Sequence, residues 1–193
     1  MARSEADGSS RERSKTKRWV ISVFLTTIVV SGIISLLSEE VMSQSGILAA
    51  FAILFVIVTV GILFDVVGVA VTSADEKPFH SMASRRVPGA REALRLLRNA
   101  ERVSSICNDV VGDICGVVSG SASATIAALV LTHVDTVWPR AVSLGMSALV
   151  AGLTVGGKAI GKTIAVNSCT QIVHLVGRFL HTLNRLKKKK SLR

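Results

Sequence analysis

Gly156–Ala165 reads GGKAIGKTIA, and its first eight residues fit the phosphate-loop pattern G-x-x-x-x-G-K-[ST] letter for letter. The stretch therefore fits either a nucleotide site in a soluble α/β domain or the polar end of a membrane-crossing helix. A phosphate loop joins a strand to a helix within a parallel sheet and uses an acid from another strand to help hold Mg²⁺. Only 30 residues follow Thr163, too few for the remaining strands, and no apolar strand ending in Asp comes after it. Ahead of the motif, Ala141–Gly157 is 17 residues without a charge. The motif thus reads as packing glycines and membrane-edge lysines, and a nucleotide is not an expected ligand.

The rest of the chain agrees with the membrane alternative. Trp19–Leu37 and Gly46–Phe64 are each 19 residues without a charge, and Ile114–Thr132 is a third uncharged run, rich in Gly, Ala and Ser. Mean hydropathy is +0.52 over 193 residues, with the charges gathered into a few blocks. At about 1.5 Å of rise per residue, about 20 residues cross a hydrocarbon core of about 30 Å. The fold class expected is all-α integral membrane: four spans at about 19–37, 46–74, 104–132 and 141–163, with amphipathic juxtamembrane helices. The first run is too long for a signal peptide and no small-x-small cleavage site closes it, so it is read as a retained helix. No strand pattern and no internal repeat appears.

Lys and Arg set the orientation. The leader, 1–18, holds six, the segment Asp75–Arg102 seven, and the tail from Asn167 another seven, whereas the loop SEEVMSQS after the first span has none and HVDTVWPR has one. Three basic blocks on one side, with an even number of spans, place both termini in the cytoplasm, and a bacterial plasma membrane is expected. Most of the formal net charge of +10 then faces anionic lipid headgroups. Nucleic acid is not an expected partner, since no soluble domain exists to hold it. The leader is polar and Ser-rich and is expected to be disordered. Within the cytoplasmic segment 75–103, AREALRLLRNAERV sets apolar Leu94 and Leu97 against Arg91, Arg95, Arg98 and Arg102. That is an amphipathic basic helix, expected at the membrane surface. In the tail, 167–193, residues 172, 175, 176, 179, 180 and 183 form a similar apolar stripe. Cys107, Cys115 and Cys169 make no C-x-x-C pair, and the four histidines show no zinc spacing.

Ionisable groups at membrane depth are costly unless paired or hydrated, and so they point to function. Asp65, Asp109, Asp113, Lys158 and Lys162 qualify. In SSICNDVVGDICGVVSG, Asp109 and Asp113 are four apart on one helix face, one turn beyond Ser105. A neighbouring row runs Ser104, Asn108, Gly112, Gly116, Gly120. Small residues let helices approach closely, so the acids are expected at a helix–helix contact rather than against lipid. Carboxylate, amide and hydroxyl oxygens are hard ligands suited to Mg²⁺ or Na⁺. The structural alternative is an ion pair of Asp109 or Asp113 with Lys158 or Lys162 that only pins the bundle.

Together these stretches resemble the transmembrane domain of the CorB and cyclin-M magnesium transporters. GKAIGKTIA is similar to that family's G-E-x-x-P-K-T-x-A signature at Gly157, Lys162, Thr163 and Ala165. The following IVHLVGRFL, the juxtamembrane helix AREALRLLRNAERVSSICNDVVGD, and DVVGVA at 65–70 also match in position, so the likeness covers about 46–183. The chain departs from the pattern at Lys158 for the signature Glu, Gly161 for its Pro, and Gly68 for the Glu of the early turn. Asp65 stands at the Ser of that turn, and the family's CBS pair has no counterpart here. The resemblance implies transport of Mg²⁺, with Co²⁺ as a second cargo, by a homodimer. Asp65, Asn108, Asp109 and Asp113 would be metal ligands, and Lys158 and Lys162 the counter-charge or gate. No catalytic residue and no bound cofactor is expected. The alternative is a non-transporting membrane scaffold or regulatory protein of the same fold.

Overall fold

A computed structural model of the chain describes residues 20–38, 40–41, 46–133 and 138–190. The leader expected at 1–18 lies outside the described residues, as do 42–45 and 134–137 of the two short loops. The described helices are α1 (Val20–Ser38), α2 (Ile47–Ser73), α3 (Lys77–Ser84), α4 (Ala90–Arg98), α5 (Ala100–Ser105), α6 (Asp113–His133), α7 (Pro139–Asn167) and α8 (Cys169–Lys190). A π-helical turn, Ile106–Gly112, joins α5 to α6 in one continuous rod. Four helices are long and apolar enough to cross a membrane: α1, α2, the rod Ala100–Thr132, and α7. They fall within a few residues of the four expected spans, and no strand occurs among the described residues.

Between lipid-facing helices, close van der Waals packing rather than the hydrophobic effect holds a bundle together, so small residues mark the contacts. α2 is the central element, touching α6, α7, the π turn, α5 and α8. A Cβ on Gly61 would lie 2.9 Å from the Cβ of Cys115, and one on Gly161 would lie 2.7 Å from Cγ2 of Val66. Gly157 meets Ile62 in the same way. Two of the three glycines of GGKAIGKTIA, Gly157 and Gly161, are thus packing glycines, whereas Gly156 is exposed with nothing within 4 Å of its Cβ position; the whole motif is helical, within α7. None of α1's apolar window is buried.

Two apolar clusters close the bundle. Ala50, Leu54, Ala122, Ile126 and Val150 join α2, α6 and α7 at one end. At the other, Ala70, Val71, Phe79, Ala93, Leu94, Leu97, Ala165 and Val173 join α2, α3, α4, α7 and α8. We call this second end the basic end, from the Lys and Arg residues of α3, α4 and α8. Here the structure refines the expectation for the juxtamembrane helix. Ala90, Ala93, Leu94 and Leu97 of α4 are all buried against the protein, leaving Arg91, Arg95 and Arg98 exposed. Its apolar face is therefore a core face, since α8 lies alongside and competes successfully for it. Gly89 turns the chain into α4 with φ +87° and touches the backbone of Gly177 and Arg178, so two helices meet there without a side chain between them.

Candidate functional site

Between the two clusters, α2 presents Gly61, Asp65 and Gly68 on one buried face. Gly61 faces Cys115, while a Cβ on Gly68 would run into the Asn108 amide, 2.8 Å from its Cγ. Seven residues separate the contacts on each antiparallel helix, so Asp65 comes level with Val111, inside the π turn. Asp65 is 5 % exposed. Its Oδ2 and the Oδ1 of Asn108 are both buried with no hydrogen-bond partner. Asn108 is aimed by its other amide atom: Nδ2 donates to Oγ of Ser104 at 3.2 Å. From the third helix, Nζ of Lys158 lies 3.4 Å from where a Cβ on Gly112 would stand. Asp65, Asn108 and Lys158 therefore converge on the π turn from α2, from the turn itself and from α7.

The remaining candidates lie elsewhere. Asp109 and Asp113 are exposed, on the side of the rod away from α2, and Asp109 accepts a hydrogen bond from Oγ of Ser105 at 2.8 Å. Lys162 is exposed on α7. Among the described residues no ion pair joins any of these aspartates to Lys158 or Lys162. Nor does any group of three or more His, Cys, Asp or Glu side chains there come together as a metal cluster. The structure places a buried carboxylate level with the π turn, an amide within it and an ammonium beside Gly112, with Asp109 and Asp113 on the exposed side of the turn.

The depth of this node follows from helix length. Counting about 20 residues inward from the ends remote from the basic end, the hydrocarbon boundary falls near Val66 on α2, Asp113 on the rod and Lys158 on α7. Asp65, Asp113 and Lys158 thus share one level, the basic-end edge of the hydrocarbon, where charge is far less costly than at mid-bilayer. π turns recur at functional sites because their longer hydrogen-bond register widens the helix and loosens its carbonyls.

Sequence reasoning singled out Asp65, Asn108 and Lys158 by their charge or polarity within apolar runs. It missed Gly68 and Gly112 as the cradle of the site, and the π turn, for which no local residue pattern exists. It also missed the basic-end contact in which Nδ1 of His181 on α8 meets Oε1 of Glu92 on α4 at 3.0 Å. Burial acts to raise the pKa of Glu92, but the His181 hydrogen bond, its own backbone bond and the charges of His181 and Arg95 outweigh it, and the group ends below its ordinary value. His174, one face-repeat earlier on α8, has Nε2 buried without a partner. No protein-family model matches the chain, and neither a curated protein nor a solved structure matches it significantly.

Proposed function

We propose that the chain carries divalent cations, chiefly Mg²⁺ with Co²⁺ as a second cargo, across the membrane its apolar helices cross. One observation carries the reading: two oxygen acceptors, Asp65 Oδ2 and Asn108 Oδ1, are buried and unpartnered at the contact between α2 and the π turn. Leaving a buried acceptor unsatisfied costs roughly 1–3 kcal/mol, more for a charged group. A hard cation removes that cost. Mg²⁺ keeps several of its waters and takes only one or two protein carboxylates, so one Asp with a neighbouring amide oxygen is a fitting set. Lys158 is the internal competitor, its ammonium standing by the turn when no cation is bound. Passage would require the bundle to open alternately to each side. The π turn is the natural point of bending, since its hydrogen-bond ladder is already irregular.

A homodimer belongs to the same proposal. α6 leaves Gly116, Gly120 and Ala124 exposed at four-residue spacing, a surface suited to close approach by a second α6. With its Lys and Arg excess, the basic end would face the cytoplasm of a bacterial cell, both termini with it.

The test is Mg²⁺ flux into proteoliposomes by the wild type, Asp65→Asn and Asn108→Ala, with folding checked by size exclusion. Asp65→Asn keeps the shape and removes an unpartnered buried charge, so the protein should fold at least as well as wild type while flux is lost. Wild-type flux no greater than in empty liposomes, under both Na⁺ and proton gradients, would sink the transport reading. A scaffold acting through its basic helices would then stand in its place.

A further inference from the structure

α8 has two faces of opposite character. Val173, Gly177 and His181, at steps of four, turn inward: Val173 into the core of the basic end, Gly177 onto Gly89 and Ala93, His181 onto Glu92. Leu175, Phe179, Leu183 and Leu186 turn outward, and Leu175, Phe179 and Leu186 are 68, 64 and 60 % exposed. The stripe expected from sequence is thereby divided: its residues 172, 176 and 180 are half-buried, while 175, 179 and 183 lie bare. Arg178, Arg185 and Lys187 flank the bare stripe, all exposed. From Cys169 to Lys190 the helix holds six Lys and Arg and no acid. Only Ser168 separates α8 from α7, so the stripe begins where a membrane-crossing helix ends.

We propose that this face of α8 binds the surface of an anionic bilayer. Leu175, Phe179, Leu183 and Leu186 sink into the headgroup–acyl boundary, while Arg178, Arg185 and Lys187 hold acidic headgroups. An apolar stripe edged with cations is the pattern of a helix lying in the interface plane, and each basic residue near an anionic surface adds attraction. Charge decides against the other occupants. Two copies of α8 placed stripe to stripe would bring twelve cations together without an acid between them, six from each helix. A nucleic acid would use the cations and leave the stripe bare. Because Gly177 and His181 fix α8 to α4, the lipid contact also holds α4 and its three arginines at the membrane edge.

The experiment places a tryptophan at Phe179→Trp in full-length protein in which Trp19 and Trp138 are Phe, reconstituted in mixed phosphatidylcholine and phosphatidylglycerol. Bromine is carried high on the acyl chains of one lipid or the other. Quenching by both lipids is expected, and at equal mole fraction at least about twofold more by the brominated phosphatidylglycerol. Replacing Arg178, Arg185 and Lys187 together by Gln should bring the two lipids level. Leu186→Trp in the same background gives an independent reading from the other end of the stripe. Emission that bromine leaves unmoved at both positions overturns the proposal, whether the probe is in water or covered by protein. Equal quenching by the two lipids in the otherwise unaltered chain overturns the headgroup preference. Neither outcome depends on ion flux, so this proposal stands or falls apart from the transport reading.

Discussion

Replacing Gly177 by Ala pits helix propensity against a close backbone approach. In a helix interior Ala is favoured over Gly by about 0.8–1 kcal/mol, so Gly177→Ala should stabilise α8 if nothing stood near it. In the structure the new Cβ would lie 2.5 Å from the carbonyl oxygen of Gly89, 3.0 Å from Cβ of Ala93 and 3.1 Å from its amide nitrogen. All three belong to the first turn of α4 and the residue before it, so none can swing aside as a long side chain can. Overpacking of this kind costs typically about 1–3 kcal/mol, which leaves a net loss of up to about 2 kcal/mol. Gly89→Ala should be worse. It meets the backbone of Arg178 at 2.5 Å and must also hold φ +87°, a left-handed geometry that costs an L-residue about 1–2 kcal/mol. Gly152→Ala on α7 is the control, since nothing lies within 4 Å of its Cβ position. Thermal unfolding in detergent should rank Gly152→Ala at or above wild type, then Gly177→Ala, then Gly89→Ala. Amide exchange should rise in α4 and α8 for the last two. A Gly177→Ala protein more stable than wild type would refute the close approach of α4 and α8.

Three further outcomes follow from the proposed transport site and its surroundings. Lys158→Met removes the competing ammonium beside the π turn, so Mg²⁺ should bind about tenfold more tightly, read as a larger Mg²⁺-induced rise in unfolding temperature; weaker binding would make Lys158 a partner of the cation rather than its rival. Gly68→Ala displaces the Asn108 amide, which is the mobile end of a side chain. It should lower flux severalfold while costing less stability than Gly89→Ala; flux at the wild-type level would remove Asn108 from the ion path. Glu92 has a folded pKa below its ordinary value of 4.5, so its contribution is present above that value and lost as pH falls through the lower folded value. Being a partly exposed contact with His181, it is worth at most about 1 kcal/mol. Glu92→Gln should flatten the acid limb of the stability profile, and an unchanged limb would mean that the pair does not couple α4 to α8.

The spans were legible because a membrane helix announces itself by length and by absence of charge, and both properties are local. The amphipathic pattern of α4 was legible too, but not what its apolar face meets. Leu94 and Leu97 look the same in sequence whether they face lipid or α8, and only the backbone meeting of Gly89 with Gly177 decides it. Row drift misled the reading of the rod. Positions four apart wind about 40° round a helix of 3.6 residues per turn at every step. The row Asn108, Gly112, Gly116, Gly120 therefore begins against α2 and α7 and ends exposed. The face that stays packed alternates steps of three and four, through half-buried Cys115 and buried Ser119, Ala122 and Ile126, none of them charged. The cradle glycines, Gly68 on α2 and Gly112 in the π turn, likewise carry no signal beyond their spacing.

Asp109 and Asp113 then need an account different from that of Asp65: they lie at its level or beyond it, but they are exposed where Asp65 is buried. An ionised carboxylate at mid-bilayer costs about 2.5–3.5 kcal/mol on insertion scales. Asp113 stands at the hydrocarbon boundary and Asp109 a turn beyond it, among headgroups and water, where little of that cost remains. Neither needs a partner to be tolerated, and neither shares a burial environment with Asp65. Two exposed acids beside the proposed site can still raise the local cation concentration, an effect that salt screens over about 10 Å at 0.1 M. Asp109→Asn/Asp113→Asn should therefore leave stability within about 0.5 kcal/mol of wild type. It should raise the Mg²⁺ concentration for half-maximal flux severalfold at low salt, converge with wild type at high salt, and leave the maximal flux unchanged. Loss of maximal flux at all salt concentrations would instead make these two carboxylates ligands, and would move the ion path from the α2 face of the π turn to its exposed side.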